Sequence, residues 1–171
     1  MIKTSNQQIT ALYNLHYQNG AKFTAFNGYK MPLWFSSIKE EHLAVRDNAG
    51  LFDLSHMGVI KIKGNKVESF LQRICTNDIS KCQNKMIYSM ILNKEGGILD
   101  DITVGKFEET YILVVNAGNK IKIYNWLKKH NTNQLEIVLL KTSFIGIQGP
   151  NTKNVLKTCL NIDISNIKKF E

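Results

Sequence analysis

The strand-forming runs in the middle of the chain limit its fold more than any other feature. Three runs rich in β-branched and aromatic residues span 87–92, 99–107 and 110–115. Such residues pack well on a pleated surface and are typical of strands. Glu108-Glu109 alone separates the last two runs, which predicts a tight turn and an antiparallel hairpin. Gly96-Gly97 separates the first two and is most simply another turn.

Helix signals flank these strands. Ser5 and Ser37 each begin a capping box, in which a side chain binds a free N–H at the helix start. The second helix is expected to end at Asn48, with an inward face of Ile38, His42, Val45 and Ala49. Strands interleaved with helices predict the α+β class, with a mostly antiparallel sheet and helices packed on it. We assign residues 1–171 to a single domain, since this length is enough for one core.

Composition narrows the function classes. The formal net charge is +8, but Arg46 and Arg73 are the only arginines, and Arg is the residue suited to bidentate phosphate and base recognition. The chain is therefore not expected to bind nucleic acid. Its basic surface is either a solvated face or attracts an acidic partner or ligand. The three cysteines lack zinc-ligand spacing, so no metal site is expected. The polar start and the lack of a long apolar run predict a cytoplasmic protein without membrane contact.

Asp53, Ser55 and His56 suggest a catalytic triad, but their spacing argues against one. Neighbouring residues of a strand point to opposite faces, so Ser55 and His56 cannot easily meet. Triad members normally come from separate elements of the fold. We therefore expect these polar side chains to be satisfied locally, at a strand end followed by a turn.

Asp100 and Asp101 are the stronger candidates for chemistry. Alternation places Asp100 on the face of Ile102, and Asp101 on the face of Thr103. One of the two carboxylates must therefore face the interior or a cleft, where a carboxyl group can exchange protons near neutral pH. The pattern leaves open which one does so, and also whether the pair is only a turn feature.

An ordered set of segments resembles one family. The two most specific are Phe52-Asp53-Leu54-Ser55-His56-Met57 and Gly96-Gly97-Ile98-Leu99-Asp100-Asp101. The others, in compatible order, span 26–32, 41–46, 76–78, 114–117 and 148–150. Together they resemble the T-protein family, the aminomethyltransferases of the glycine cleavage system. The long segment before Phe52 favours this family over the related folate-dependent demethylases.

The resemblance implies a fold, a reaction and site residues. T-proteins transfer a methylene unit from the aminomethyl-dihydrolipoyl arm of the lipoylated H-protein to tetrahydrofolate and release ammonia. Asp101 corresponds to the family's catalytic carboxylate, whose implied role is to bind the reactive folate nitrogens. Met57 and Tyr88 correspond to positions lining the pterin pocket, and Asn116 is a further candidate there.

Family members are longer than this chain, and their later segments supply further folate contacts. The resemblance therefore covers the amino-terminal part of a folate-binding domain that is incomplete at its C-terminal end. A truncated product, a split gene and a decayed gene all fit this pattern. Besides an aminomethyltransferase, the sequence allows a non-catalytic module that binds folate or a partner, and an inactive fragment.

Overall fold

A computed structural model describes residues 7–167 of the chain. Within this range the helices are α1 (Tyr13–Gln18), α2 (Ile38–Asp47), α3 (Val67–Gln72), α4 (Lys120–Lys129) and α5 (Thr152–Leu160), with a short 3-10 helix at Ile79–Cys82. The strands are β1 (Lys22–Phe26), β2 (Tyr29–Trp34), β3 (Gly50–Asp53), β4 (Gly58–Lys63), β5 (Met86–Leu92), β6 (Ile98–Phe107), β7 (Thr110–Val115), β8 (Glu136–Leu140) and β9 (Ile145–Gln148).

Backbone contacts divide the described chain into two compact units. The first contains residues 7–56 and Ser143–Ile167, and the second contains Met57–Thr142. The assignment of residues 1–171 to one folate-binding domain stays a prediction.

The second unit is built on a five-stranded antiparallel sheet. Its strand order is β5-β6-β7-β4-β8, so the predicted run of consecutive strands β5, β6 and β7 is confirmed. The turn between β6 and β7 has Glu108 at φ 54°, as a tight turn requires. β4 precedes these strands in sequence but lies between β7 and β8, with Ile60 paired to Leu113 on one side and Leu139 on the other.

One face of this sheet carries the core, because alternate residues of each strand point to the same side. α3 and α4 contribute to this core. Its fully buried side chains include Ile60, Ile62, Phe70, Leu71, Leu113, Val115, Ile123 and Leu127. The opposite face is partly exposed along β4 to β7. The predicted α+β class, an antiparallel sheet with helices packed on it, is confirmed.

The first unit has two small antiparallel strand pairs, β1 with β2 and β3 with β9. Most of its buried side chains are polar. The buried set is Thr10, His16, Tyr29, Met31, Asp53 and His56. This unit is therefore held by a hydrogen-bonded centre rather than by a large apolar core.

Two helix predictions in the first unit need correction. Ser5 lies outside the described residues, but the helix expected after it begins only at Tyr13. Gln8 instead exchanges backbone hydrogen bonds with Gly28 and Lys30 of the β1–β2 hairpin, so it cannot start a helix. In α2, Ser37 caps the helix as predicted and accepts a bond from Glu40 N at 3.2 Å.

The predicted inward face of α2 is wrong. No residue of α2 is buried, and Ile38 is 62% exposed. Of the predicted inward positions, Val45 and Ala49 are partly covered, and Val45 lies next to Gly50 of β3. The period of apolar residues marks a helix face, but not whether a second element of the chain covers it.

Between residues 7 and 167, no helix combines the length and apolarity needed to cross a bilayer.

Candidate functional site

The two adjacent aspartates of β6 lie on opposite faces of the sheet. Asp100 is 4% exposed and shares its face with the buried Ile102 and Val104. Asp101 is exposed and shares the other face with Thr103. The predicted alternation is confirmed, and it gives the two carboxylates different surroundings.

Asp100 is satisfied by nitrogen donors from the segment between β7 and α4. Its Oδ2 accepts a hydrogen bond from Asn116 N at 3.0 Å. Its Oδ1 accepts from Asn116 Nδ2 at 3.0 Å and from Asn119 Nδ2 at 2.6 Å. A buried carboxylate needs such donors, because the desolvated charge is otherwise costly. Asp100 therefore fixes the loop that leads into α4.

The Asn116 carboxamide links the two aspartates. Besides Asp100, its Nδ2 donates to Asp101 Oδ1 at 2.8 Å and lies 3.0 Å from Asp101 O. An amide nitrogen has only two hydrogens, so one serves Asp100 and the other is shared by the Asp101 oxygens. These contacts fix which way the carboxamide faces. Asn116 is thus placed directly beside Asp101.

Tyr88 holds the other oxygen of the Asp101 carboxylate. Its hydroxyl donates to Asp101 Oδ2 at 3.3 Å. Tyr88 pairs with Thr103, one diagonal step from Asp101, and its side chain is half-exposed. Partial desolvation and the negative charge of Asp101 raise the pKa of the Tyr88 hydroxyl. The phenol is consequently protonated at neutral pH and able to donate.

Met57 occupies the neighbouring position in the sheet register. It directly precedes Gly58, which pairs with Val115, and Asn116 directly follows Val115. Gly58 has no room for a side chain, because an added Cβ would lie 2.6 Å from Val115 Cγ2 and 2.5 Å from Lys120 Cβ. The small residue lets β4 run close to the start of α4, which fixes the register at Met57.

The four predicted site residues therefore lie in one part of the second unit. Tyr88, Asp101 and Asn116 are joined by hydrogen bonds, and Met57 adjoins Asn116 by register. An exposed carboxylate flanked by a phenol and a carboxamide can accept hydrogen bonds from a ligand and exchange a proton with it. The aromatic ring of Tyr88 offers a flat apolar surface beside it.

Sequence reasoning missed Asn119 and the contacts of Asp100. Asn119 is the N-cap residue of α4. Its side chain makes no capping bond and binds Asp100 instead. One sequence signal could have indicated this contact: Asn119 is a short polar residue at a helix start, shortly after β7, the strand that pairs with β6.

Asp53, Ser55 and His56 do not form a triad. Asp53 accepts hydrogen bonds from Thr10 Oγ1 at 2.7 Å and from Ser55 N at 2.9 Å, and His16 Nε2 lies 2.9 Å from its Oδ2. Ser55 Oγ bonds the backbone of residue 144. The predicted local satisfaction is therefore correct only for the bond from Ser55 N to Asp53. The other partners of Asp53 and Ser55 are Thr10, His16 and residue 144, which lie far away in the sequence.

Within residues 7–167, no three His, Cys, Asp or Glu side chains are grouped so that they could hold a metal ion.

The fold is that of the aminomethyltransferases of the glycine cleavage system. The structure matches the crystal structure of the glycine cleavage system aminomethyltransferase T from Bartonella henselae, with a TM-score of 0.89 and 34% sequence identity. This match covers 96% of the present chain and 46% of the Bartonella chain.

The sequence assigns the family. Residues 12–170 match the family model of the GCVT N-terminal domain, and the chain belongs to that family. It is 44% identical to an aminomethyltransferase of Staphylococcus epidermidis, over 98% of this chain and 48% of that protein. It is also 44% identical to an aminomethyltransferase of Oceanobacillus iheyensis, over 97% of this chain and 47% of that protein. The chain thus spans about half the length of the curated relatives it matches.

Proposed function

We propose that this chain supplies the catalytic carboxylate of a tetrahydrofolate-dependent aminomethyl transfer in the glycine cleavage system, and that Asp101 is that carboxylate. The observation that carries the proposal is the exposed Asp101 side chain, held by the Tyr88 hydroxyl on one oxygen and the Asn116 carboxamide on the other. Membership of the GCVT N-terminal domain family supports it.

The reaction moves one carbon without oxidation or reduction. The donor is an aminomethyl group on the dihydrolipoyl sulfur of the H-protein, and the acceptor substrate is tetrahydrofolate. The carbon loses its bonds to nitrogen and sulfur and gains bonds to two folate nitrogens. The two protons leaving those nitrogens complete ammonia and the thiol. A carboxylate placed beside the folate nitrogens can accept one such proton and return it.

The surroundings of Asp101 suit this role. Tyr88 and Asn116 orient its carboxylate from opposite sides, which keeps the group in place before a ligand arrives. The ring of Tyr88 and the thioether of Met57 offer the flat, apolar wall that a pterin requires. Carboxylate oxygens have further acceptor capacity beyond these two bonds, and we assign it to the folate nitrogens.

A coupled glycine cleavage assay tests the proposal. The chain is combined with lipoylated H-protein and tetrahydrofolate, with and without a second chain carrying the other half of an aminomethyltransferase. We expect Asp101→Asn to abolish methylene transfer, because the amide keeps the shape but cannot accept a proton. Asp47→Asn makes the same change at an exposed position of α2 and should leave the rate unchanged. Full transfer by Asp101→Asn would refute the proposal.

The same assay separates the other functions. Tetrahydrofolate binding by calorimetry without any transfer, even with the second chain present, would favour a non-catalytic folate-binding module. Methyl transfer from a methylated donor in place of the H-protein would favour a folate-dependent demethylase. Aggregation with neither binding nor transfer would identify an inactive fragment. A cytoplasmic location stays a prediction.

A further inference from the structure

The buried Asp100 carboxylate binds Asn116 through both its backbone and its side chain, and so does more than hold the loop. Two of the N–H donors to its side chain belong to Asn116, one from the backbone and one from the carboxamide. Together they fix both the Cα position and the side-chain direction of Asn116. Because both its backbone N–H and its carboxamide are bound, the side chain of Asn116 has little freedom to change rotamer.

The second hydrogen of that carboxamide is directed to Asp101. Asn116 Nδ2 lies 3.0 Å from Asp100 Oδ1 and 2.8 Å from Asp101 Oδ1, so one nitrogen joins the buried carboxylate to the exposed one. Asp100 and Asp101 are neighbours in sequence, but their side chains point to opposite faces of β6. The connection between them therefore runs around the edge of the strand through Asn116.

We propose that Asp100 is a positioning residue, which sets the direction of the Asp101 carboxylate through the Asn116 carboxamide. This inference rests on the proposed function of Asp101, since it assigns the alignment of that carboxylate for its folate substrate. Without Asp100, the Asn116 carboxamide loses the buried partner that sets its direction, and its remaining bonds are to the Asp101 oxygens themselves. The alignment of a reacting group to within a fraction of an ångström strongly affects rates and affinities.

Asn119 provides the matched control. Its Nδ2 donates to Asp100 Oδ1 at 2.6 Å, but no described contact joins its side chain to Asn116 or Asp101. Asn119→Ala therefore removes one bond from the buried carboxylate and leaves the link through Asn116 in place. Asp100→Asn keeps the side-chain volume, but turns one acceptor into a donor that faces the nitrogens of the loop.

The experiment combines nuclear magnetic resonance with calorimetry on the full chain. We expect Asp100→Asn to move the side-chain amide signals of Asn116 and the carboxyl carbon signal of Asp101, and to weaken tetrahydrofolate binding about tenfold, the effect of one lost hydrogen bond. Asn119→Ala should leave the Asp101 signal in place and the affinity within about twofold. Thermal unfolding of both variants measures what each change costs in stability.

Three outcomes would overturn the inference. The first is an Asp101 carboxyl signal that stays unmoved in Asp100→Asn. The second is a loss of affinity that follows thermal stability alone in both variants. If Asp100→Asn does not fold, Asn116→Ala replaces it, because this variant removes the carboxamide but retains the backbone bond to Asp100. The third outcome is an Asp101 carboxyl signal that stays unmoved in Asn116→Ala. A wild-type chain that binds no tetrahydrofolate, even with the second chain of the coupled assay present, refutes the proposed function, while the signals still show whether Asp100 directs Asp101.

Discussion

Removal of the Asp53 side chain should destabilise the first unit strongly. Asp53 is 8% exposed and accepts hydrogen bonds from Thr10 Oγ1, Ser55 N and His16 Nε2. The His16 nitrogen must be the donor in its bond, because a carboxylate can only accept. Asp53→Ala leaves the buried side chains of Thr10 and His16, and the partly buried Ser55 N–H, without their acceptor. Each buried donor left unpaired costs about 1–3 kcal/mol, so we expect a loss of about 3–5 kcal/mol in the free energy of unfolding. Few buried apolar side chains of this unit are available to offset the loss.

Urea unfolding followed by tryptophan fluorescence measures this cost. The chain has two tryptophans, and Trp34 in β2 belongs to the same unit as Asp53. In a Trp126→Phe background, the signal therefore reports on the surroundings of Trp34. With a denaturant slope of about 2 kcal/mol per molar urea, the expected loss lowers the midpoint by about 2 M. Asp47→Ala, at an exposed carboxylate of the same unit, should change the midpoint by less than about 0.3 M.

A change of less than about 1 kcal/mol for Asp53→Ala would refute the reasoning, because it would mean that water or other groups satisfy the three donors at no cost. An equal loss in Asp47→Ala would also refute it. That result would trace the effect to net charge rather than to the buried centre.

The pH dependence of stability gives an independent check on Asp53. Burial opposes ionisation of this carboxyl, but the hydrogen bonds from Thr10, Ser55 and His16 outweigh it and lower its pKa below the ordinary 3.8. The unfolded chain then binds more protons in the window below pH 3.8. The stabilisation is fully present above that pH and is lost as the pH falls through the folded-state pKa. The difference in unfolding free energy between wild type and Asp53→Asn should therefore shrink as the pH falls below about 4. A constant difference would contradict the assignment.

Three further predictions concern the second unit and α2. Gly58→Ala should cost about 1–3 kcal/mol in thermal or urea unfolding, since the added methyl group would lie 2.6 Å from Val115 Cγ2; an unchanged midpoint would show that β4 shifts freely. Tyr88→Phe should leave the free energy of unfolding unchanged, because the Tyr88 hydroxyl is exposed. It should weaken tetrahydrofolate binding several-fold, because one Asp101 oxygen loses its donor. Equal affinities of variant and wild type in calorimetry would remove Tyr88 from the site. Ser37→Ala should destabilise α2 by about 1 kcal/mol, measured by urea unfolding at Trp34, and no change would mean that the cap is dispensable.

Local patterns predicted the parts of the fold that depend on neighbours in sequence. The bounds of β7 and the turn at Glu108 follow from alternation and a short connection, and the cap of α2 follows from Ser37. The start of α1 was wrong because Gln8 is held by the hairpin of β1 and β2. The placement of β4 between β7 and β8 could not be predicted either, because it depends on pairing with strands that are distant in sequence. Alternation tells which face a strand buries, but not which strand it pairs with.

The candidate site shows the same division between local and long-range information. Alternation established that Asp100 and Asp101 face opposite sides, but a dipeptide cannot show which donors meet each carboxylate. The donors to Asp100 come from Asn116 and Asn119, sixteen and nineteen residues away, and they arrive because β7 pairs with β6 in one fixed register. A shift of that register by one residue would turn every side chain of β7 to the other face. The antiparallel pairing of β6 with β7 is therefore part of the site itself, and a substitution that changes the pairing should disturb Asp101 even where it touches no folate-binding residue.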